Sequence, residues 1–427
     1  MKNLLLIVSF IFLFVSCTEK ESITDPKEYS QFLEKTDHKK TSFLQEEIEF
    51  WSSKLKESPS QHPYISKLAG AETAMFEASG KIDHLHKATM LLEKANEQTC
   101  YENPGFLRGL ARNYISQHRF RDALELLKIA EINGEHLYDT EKMLFDVYLE
   151  LGKDKLAEIY LEKIKDFRKF DYLIRLAKWS DHQGKLNSAI KYMEKALVKA
   201  KASKNESLIQ WTYSNLADYY GHDNRIKDSY HCYLKALELN PGDTHSKKGI
   251  AWITYSYENN PKLALSVLDK ITEKVPNPEF FLLKAEIASY NGQQELSNIY
   301  KRTYAHFIRS KDYGNMYNKY SVELYTSEKD SLDQALEIAR KEIEERPTAQ
   351  SYDLLAWTYF RQNRFKKAYE IVKNELHGKT SEPHILYHMA EIYNAMGLSK
   401  EVSSLKEQLA ESSFELGPVI SRKIMMF

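Results

Sequence analysis

Two histidines, His182 and His222, each stand beside an aspartate, Asp181 and Asp223. Two imidazoles and two carboxylates form a set that a divalent cation accepts, provided the side chains converge. These four fall where helices end beside solvent, positions at which His and Asp are ordinary turn residues, so no metal is assigned. His84 and His86 are two apart, and i,i+2 residues on a helix point away from each other. The chain holds 14 histidines and 61 carboxylates, yet no histidine keeps a fixed spacing to a nucleophile. GxSxG and HExxH are both missing. Glycine is scarce, 15 of 427 residues, and neither GxxxxGK nor GxGxxG occurs to cradle a phosphate. The expectation is a non-enzyme with no catalytic residue, no metal and no cofactor. Charged residues make up 28% of the chain and leave a net charge of −1, so no general attraction to nucleic acid follows.

The elements that must carry any site are short helices. Over Asn103 to Glu135, Leu107, Leu110, Ala111 and Tyr114 recur at steps of three and four, and so do Phe120, Ala123, Leu127 and Ala130. Each set shares one helix face. Two helices this short cannot bury those faces alone and need copies on either side. Counterparts of Ala123 fall at Ala88, Ala157, Ala189, Ser229, Ala264, Ser297, Ala335, Ala368 and Val402, at steps of 32 to 40 residues. Gly152, Gly184, Gly292 and Gly397 lie five residues before their anchors, where a turn wants positive φ. Pro241, Pro276 and Pro347 lie twelve residues after theirs, where a helix must stop. Pro104, Pro278 and Pro383 open first helices, with Asn103 and Asn277 as N-caps before two of them.

A period near 34 residues with this punctuation resembles the tetratricopeptide-repeat (TPR) family over roughly residues 62–410. The implied fold is all-α, a superhelical solenoid of about ten TPR-like helix-turn-helix repeats. Cys100 and Cys232 lie about four units apart in that stack, beyond disulfide reach, and are expected as free thiols.

The N-terminus carries a different signal. Leu4–Val15 is apolar but too short to span a bilayer, which takes ~20 residues, so it reads as a cleaved signal. The ending FVSC resembles a bacterial lipoprotein signal, with Phe14 where that family most often has Leu. The resemblance implies a signal peptide over 1–16, lipidation of Cys17, and anchoring in the cell envelope. Thr18 is not the Asp that retains some lipoproteins at the inner membrane, which favours the outer membrane and leaves open a periplasmic or a surface face. Residues 17–41 are polar and are expected as a flexible stalk. A capping helix is expected over 42–61, with Phe43, Ile48, Trp51 and Leu55 turned inward. The solenoid then runs over 62–416, and 417–427 is a C-terminal tail that either docks or stays exposed.

In such a solenoid the first helices line the concave surface. Arg108, Arg112, Lys142 and Lys178 fall at inward positions and suit a carboxylate or an acidic peptide. The family's peptide clamp of basic residues and asparagines is not reproduced, because Arg112, Asp146 and Lys178 occupy its places. Trp252, Tyr255, Trp357 and Phe360 would form an aromatic platform for a peptide or helix. The reading is a lipid-anchored scaffold that binds protein partners in its concave groove. Two others stay open: an accessory lipoprotein binding a glycan or small ligand, with the tyrosine-rich unit before Ala335, and a hydrolase whose site would need His182 or His222.

Overall fold

The computed structural model describes residues 22–427. Cys17 and the apolar segment before it lie outside the described residues. Two helices come first, α1 (Pro26–Leu33) and α2 (His38–Glu57). Five hairpins follow: α3–α4 (His62–Ser79, Ile82–Gln98), α5–α6 (Pro104–Ser116, Phe120–Asn133), α7–α8 (Leu137–Glu150, Asp154–Lys163), α9–α10 (Phe170–His182, Leu186–Ser203) and α11–α12 (Glu206–His222, Ile226–Leu239). Five more complete the array: α13–α14 (Thr244–Trp252, Pro261–Lys274), α15–α16 (Pro278–Tyr290, Gln294–Ser310), α17–α18 (Asn318–Thr326, Leu332–Glu345), α19–α20 (Ala349–Arg361, Phe365–Ile371) and α21–α22 (Pro383–Ala395, Ser399–Glu411). A last helix, α23 (Ser413–Ile424), ends the chain. No strand occurs among the described residues.

All ten anchors sit in second helices, and the most accessible, Val402, is 6% exposed. The side chain there is small because the facing helix passes directly over it, and the larger Leu and Tyr residues fill the flanks. The turn slot five residues before the anchor is left-handed at Gly152, Gly184, Gly292 and Gly397. Four other repeats put His118, Asn224, Asn259 or Asn363 in the same slot and the same conformation, which short polar side chains tolerate better than most. Asn103 caps α5 by accepting from the N–H groups of Gly105 and Phe106, and Asn277 caps α15 through Glu279.

The N-terminal expectations need correction. Residues 22–37 belong to the span read as a flexible stalk, but α1 lies against α12 and α14 in the middle of the array. The Glu258 carboxylate accepts from the N–H groups of Ile23 (2.7 Å) and Thr24 (2.6 Å) and from the Thr24 hydroxyl (2.9 Å). Tyr29, Phe32 and Leu33 are buried in the same core as Tyr230 and Leu268. Composition gave no warning, because three apolar side chains in a polar segment suffice when a preformed groove receives them. The helix α2 begins at His38, and its inward stripe holds Leu44 and Ile48, while Phe43 is 59% exposed. Ile48, Trp51 and Leu55 face inward as expected, and only at the first position does Leu44 take the place of Phe43.

Tyr29 is 1% exposed, and among the described residues its hydroxyl has no hydrogen-bond partner. A buried polar atom left unpaired costs about 1–3 kcal/mol. Tyr29→Phe is therefore expected to leave stability unchanged or raise it by about 1 kcal/mol in chemical denaturation, and a clear loss would mean that the hydroxyl has a partner.

The coil winds tightly enough for successive turns to touch. Lys311 pairs with Asp83 at 2.5 Å, Arg346 with Glu150 at 3.1 Å, and Asn224 donates to the Glu411 carbonyl at 2.8 Å. Arg121 donates to the carbonyls of Glu344 and Glu345. These partners are 187 to 228 residues apart, roughly six repeats at the family's period. The expected open concave wall is thus rolled into a narrow lumen. The tail over 417–427 docks in part: Gly417 breaks α23, Phe414 and Leu416 just before it are buried, Ile424 is buried, and Met425 and Met426 stay exposed.

Candidate functional site

The first helices α11, α13, α15, α17 and α21 present their inner faces to a cavity of about 410 Å³, and α23 closes one side. The charged groups on this wall range from half-buried to exposed, and those crowded by protein find a partner or shift their proton affinity. Asp218 accepts from the Tyr233 hydroxyl (2.5 Å) and from His245 Nε2 (2.8 Å). Burial alone would push its carboxyl up; those bonds and the charge of His245 outweigh it and hold Asp218 below the usual range. Glu279 is treated alike: burial is offset by the Lys248 charge at 3.1 Å and by the Tyr320 hydroxyl at 2.8 Å, and the carboxyl stays low. His222 loses basicity through burial but regains more from Glu415, 3.1 Å away, and from Asp181 and Asp218, and ends at about 9.

Two carboxyls are left over. Glu286 accepts one hydrogen bond, from the Tyr255 hydroxyl at 3.1 Å. Burial dominates and the nearby charge of Glu323 adds to it, raising Glu286 to about 7. Glu323, at the open side of the cavity, is exposed; the protein crowded around it pushes its carboxyl up, and the charge of Lys319, one turn earlier on α17, opposes the rise. On the far side burial, then Lys319 and His388, depress His384 to about 4.

The aromatic part of the wall is built by an irregular turn. A π-helical turn over Ile253–Tyr257 follows α13, and the extra residue it accommodates re-aims the side chains beyond it. Tyr255 becomes fully buried and reaches Glu286, while Ser256 Oγ donates to the Phe414 carbonyl at 2.6 Å. Trp252 Nε1 donates to the same oxygen at 3.1 Å. The Phe414 ring lies on Gly221, where an added Cβ would meet it at 2.9 Å, so a glycine is required there for the docked tail to approach.

The residues singled out from sequence are distributed differently. Tyr255 is buried and Trp252 is covered by the tail, so neither forms an open platform. Trp357 stacks on Phe360 (4.9 Å) and on His388 (3.9 Å), half-buried at the neighbouring stretch of wall. Three of the four basic candidates already have partners. Arg108 donates to the Glu135 carbonyl at 3.0 Å, Lys142 pairs with Asp171 at 2.6 Å, and Lys178 pairs with Glu150 at 3.0 Å. Arg112 is the exposed one. The candidate quartet for a metal is split: His182 pairs with Asp154 and His222 with Glu415. Among the described residues no group of three or more His, Cys, Asp or Glu side chains is arranged to hold an ion. Cys100 and Cys232 are both free thiols. Glu286, Glu323 and Lys319 escaped the sequence reading, because acids coat every helix exterior and nothing local marks the ones that face inward.

The raised Glu286 has a consequence for pH. Its folded-state value exceeds the unfolded one, so the folded chain binds the extra proton and stability falls as pH rises from about 4.5 through about 7. Glu286→Gln, which imitates the protonated form, is expected to gain on the parent by on the order of 2 kcal/mol at pH 8 and by little at pH 4. Urea midpoints of both chains across that range are the check. Parallel curves would show that Glu286 is solvated as an ordinary carboxylate.

Residues 212–243, which take in most of α11 and all of α12, match the tetratricopeptide repeat family model. Among curated proteins none matches the sequence. Solved structures similar to the chain include a human IFIT1 dimer with PPP-AAAA, at 14% identity over 79% of this chain and 77% of that one, with a TM-score of 0.47. YrrB, described as a TPR protein with an unusual peptide-binding site, is 15% identical over 46% of this chain and 95% of its own, with a TM-score of 0.28. PilF of Pseudomonas aeruginosa is 16% identical over 50% and 96%, with a TM-score of 0.37. At these levels the likeness concerns helical-repeat architecture and nothing further.

Proposed function

We propose that the protein is a non-enzymatic scaffold, tethered to an envelope membrane through a lipid on Cys17, that recognises an extended segment of a partner protein on its inner wall. One observation carries the reading. The inner wall already receives a segment of its own chain, the α22–α23 junction Glu411–Glu415, through main-chain carbonyls: Asn224 donates to that of Glu411, and Trp252 and Ser256 donate to that of Phe414. Contacts of that kind are indifferent to side-chain identity and serve any partner segment that presents free carbonyls, while pockets beside them select residues. A wide cleft of about 1730 Å³ where α2–α4 meet α11–α16 offers a path from outside to the same wall.

The test has two parts. Cys17→Ser is expected to move the protein from the membrane fraction to the soluble one, and the lipid reading fails if fractionation is unchanged. A photo-crosslinking residue in place of Arg112 or Trp357, used in intact cells, is expected to capture a defined protein. Capture of a glycan alone would favour the accessory-lipoprotein reading. Turnover of a small substrate that is lost with His222→Gln would replace the scaffold with an enzyme.

A further inference from the structure

The bends inside α7–α8, α9–α10 and α11–α12 face the next turn of the coil. An added Cβ on Gly152 would strike the Pro347 carbonyl oxygen at 2.9 Å, one on Gly184 would strike the Ser381 hydroxyl at 2.8 Å, and Asn224 donates to the Glu411 carbonyl. The corresponding bends further along are open. Asn259, Gly292, Asn363 and Gly397 are exposed, and a Cβ on either glycine meets nothing within 4 Å. Together these bends make one free end of the coil.

Two separate parts of the chain come to that end. Ser22 is exposed, and its hydroxyl lies 3.2 Å from the Glu258 carboxylate, at the bend between α13 and α14. Cys17 stands five residues earlier, and a chain covers at most about 3.6 Å per residue, so a lipid on Cys17 starts within roughly 18 Å of this bend. The opposite end of the coil is out of its reach. Arg121, at the start of α6, touches the end of α18 at Glu344 and Glu345. The two 14-residue helices thus stack end on end, which sets Ile132, at the far end of α6, roughly 40 Å from the free bends.

The second part is α23. Gly417 lies beside Glu286 of α15, and further along α23 Arg422 donates at 2.7 Å to the hydroxyl of Tyr290, the last residue of α15. That hydroxyl in turn donates to Asn259, the residue after Glu258. The helix therefore runs toward the free end. Beyond Arg422 and Lys423, both exposed, it presents Met425 and Met426, 73% and 81% exposed. Single exposed apolar residues are ordinary on any surface. An adjacent pair beside two cations, on the end of the coil where a lipid would emerge, suits a bilayer: the thioether chains enter its boundary and the cations meet anionic headgroups.

We propose that this end of the coil rests on the membrane, with Met425 and Met426 in the headgroup layer and Arg422 and Lys423 against anionic phospholipid. The proposal rests on the lipid tether at Cys17 and adds a second contact, which fixes the direction in which the coil stands.

A diazirine-bearing residue in place of Met426, irradiated in intact cells, tests this in the full chain. A phospholipid adduct is expected at Met426, and none when the same residue replaces Ile132, which is 83% exposed at the opposite end. Lys423→Glu should cut the adduct yield by about fivefold or more, with no change in melting temperature because the side chain is exposed. The mass of the N-terminal peptide separates this contact from the tether. An acylated Cys17 without a lipid adduct at Met426 overturns the contact and leaves the tether, whereas an unmodified Cys17 strikes both. Equal lipid yields at Met426 and Ile132 would overturn the orientation. A protein adduct at Met426 would do the same, because this end would then be a partner interface.

Discussion

Alanine in place of Arg346 is expected to cost about 3 kcal/mol and to loosen the contact between turns of the coil. The guanidinium is buried and touches three groups: Glu150 across the seam at 3.1 Å, Glu342 on its own helix at 3.0 Å, and Gln350 at 2.6 Å. It also lies 5.5 Å from the centre of the Phe120 ring. Removing it leaves Glu342, 7% exposed, without a counter-charge and held only by the Asn318 amide at 2.7 Å, and breaking a buried pair from one side costs about 3–5 kcal/mol. The lower figure applies because Glu150 keeps Lys178 and is 30% exposed. Small-angle scattering should show a larger radius of gyration for the variant, and hydrogen exchange should rise together in α6 and α18. An unchanged scattering profile would mean that the turns are held by other contacts. Arg346→Met, which fills the space but lacks the charge, is expected to behave like alanine, because Glu342 again lacks a counter-charge.

The second large effect concerns the tail. Phe414→Ala is expected to remove about 3–5 kcal/mol from the docking of α23, the usual range for a buried aromatic side chain. The ring is 9% exposed and rests on Gly221, and its own carbonyl receives two donors from the α13 region. Loss of the ring should free residues 412–427 to exchange amide hydrogens quickly and should shift tryptophan emission to the red as Trp252 meets water. If both signals match the parent, the tail is held by its helix packing alone and the Phe414 contact is incidental. The His222–Glu415 pair predicts the pH course of the same event. His222 is held protonated to about 9, so its contribution is complete below the unfolded value near 6.5 and is lost as pH rises through about 9. Part of this is screened, because the His222 side chain is 42% exposed.

Both variants act on contacts between parts of the chain far apart in sequence, which separates what was legible from what was not. Ten hairpins, their anchors, the two Asn caps and the four glycine turns followed from periods of three to four and about 34 residues, because each of those signals is satisfied within a single repeat or between neighbours. The left-handed His118 and Asn224 turns could have been found by extending the same register. The path of residues 22–37 was misread, because a polar segment with Tyr29, Phe32 and Leu33 is a stalk or a staple according to whether a groove meets it. Trp252 and Tyr255 do not stand open as expected, because Trp252 is covered by the Phe414 segment and Tyr255 is buried against Glu286, while Trp357 and Phe360 remain half-buried.

What the sequence determined by itself is the repeating unit: a hairpin too small to bury its own apolar faces, copied until the faces have neighbours. Tertiary structure decided how sharply the units turn, and hence which turns touch, where each terminus docks, and which acids face inward without a counter-charge. The physical reason is one of range. Burial of the anchors is a nearest-neighbour term written into every repeat, whereas the winding is the sum of small rotations over roughly six of them, so that Arg346 meets Glu150 only after the whole sum is taken.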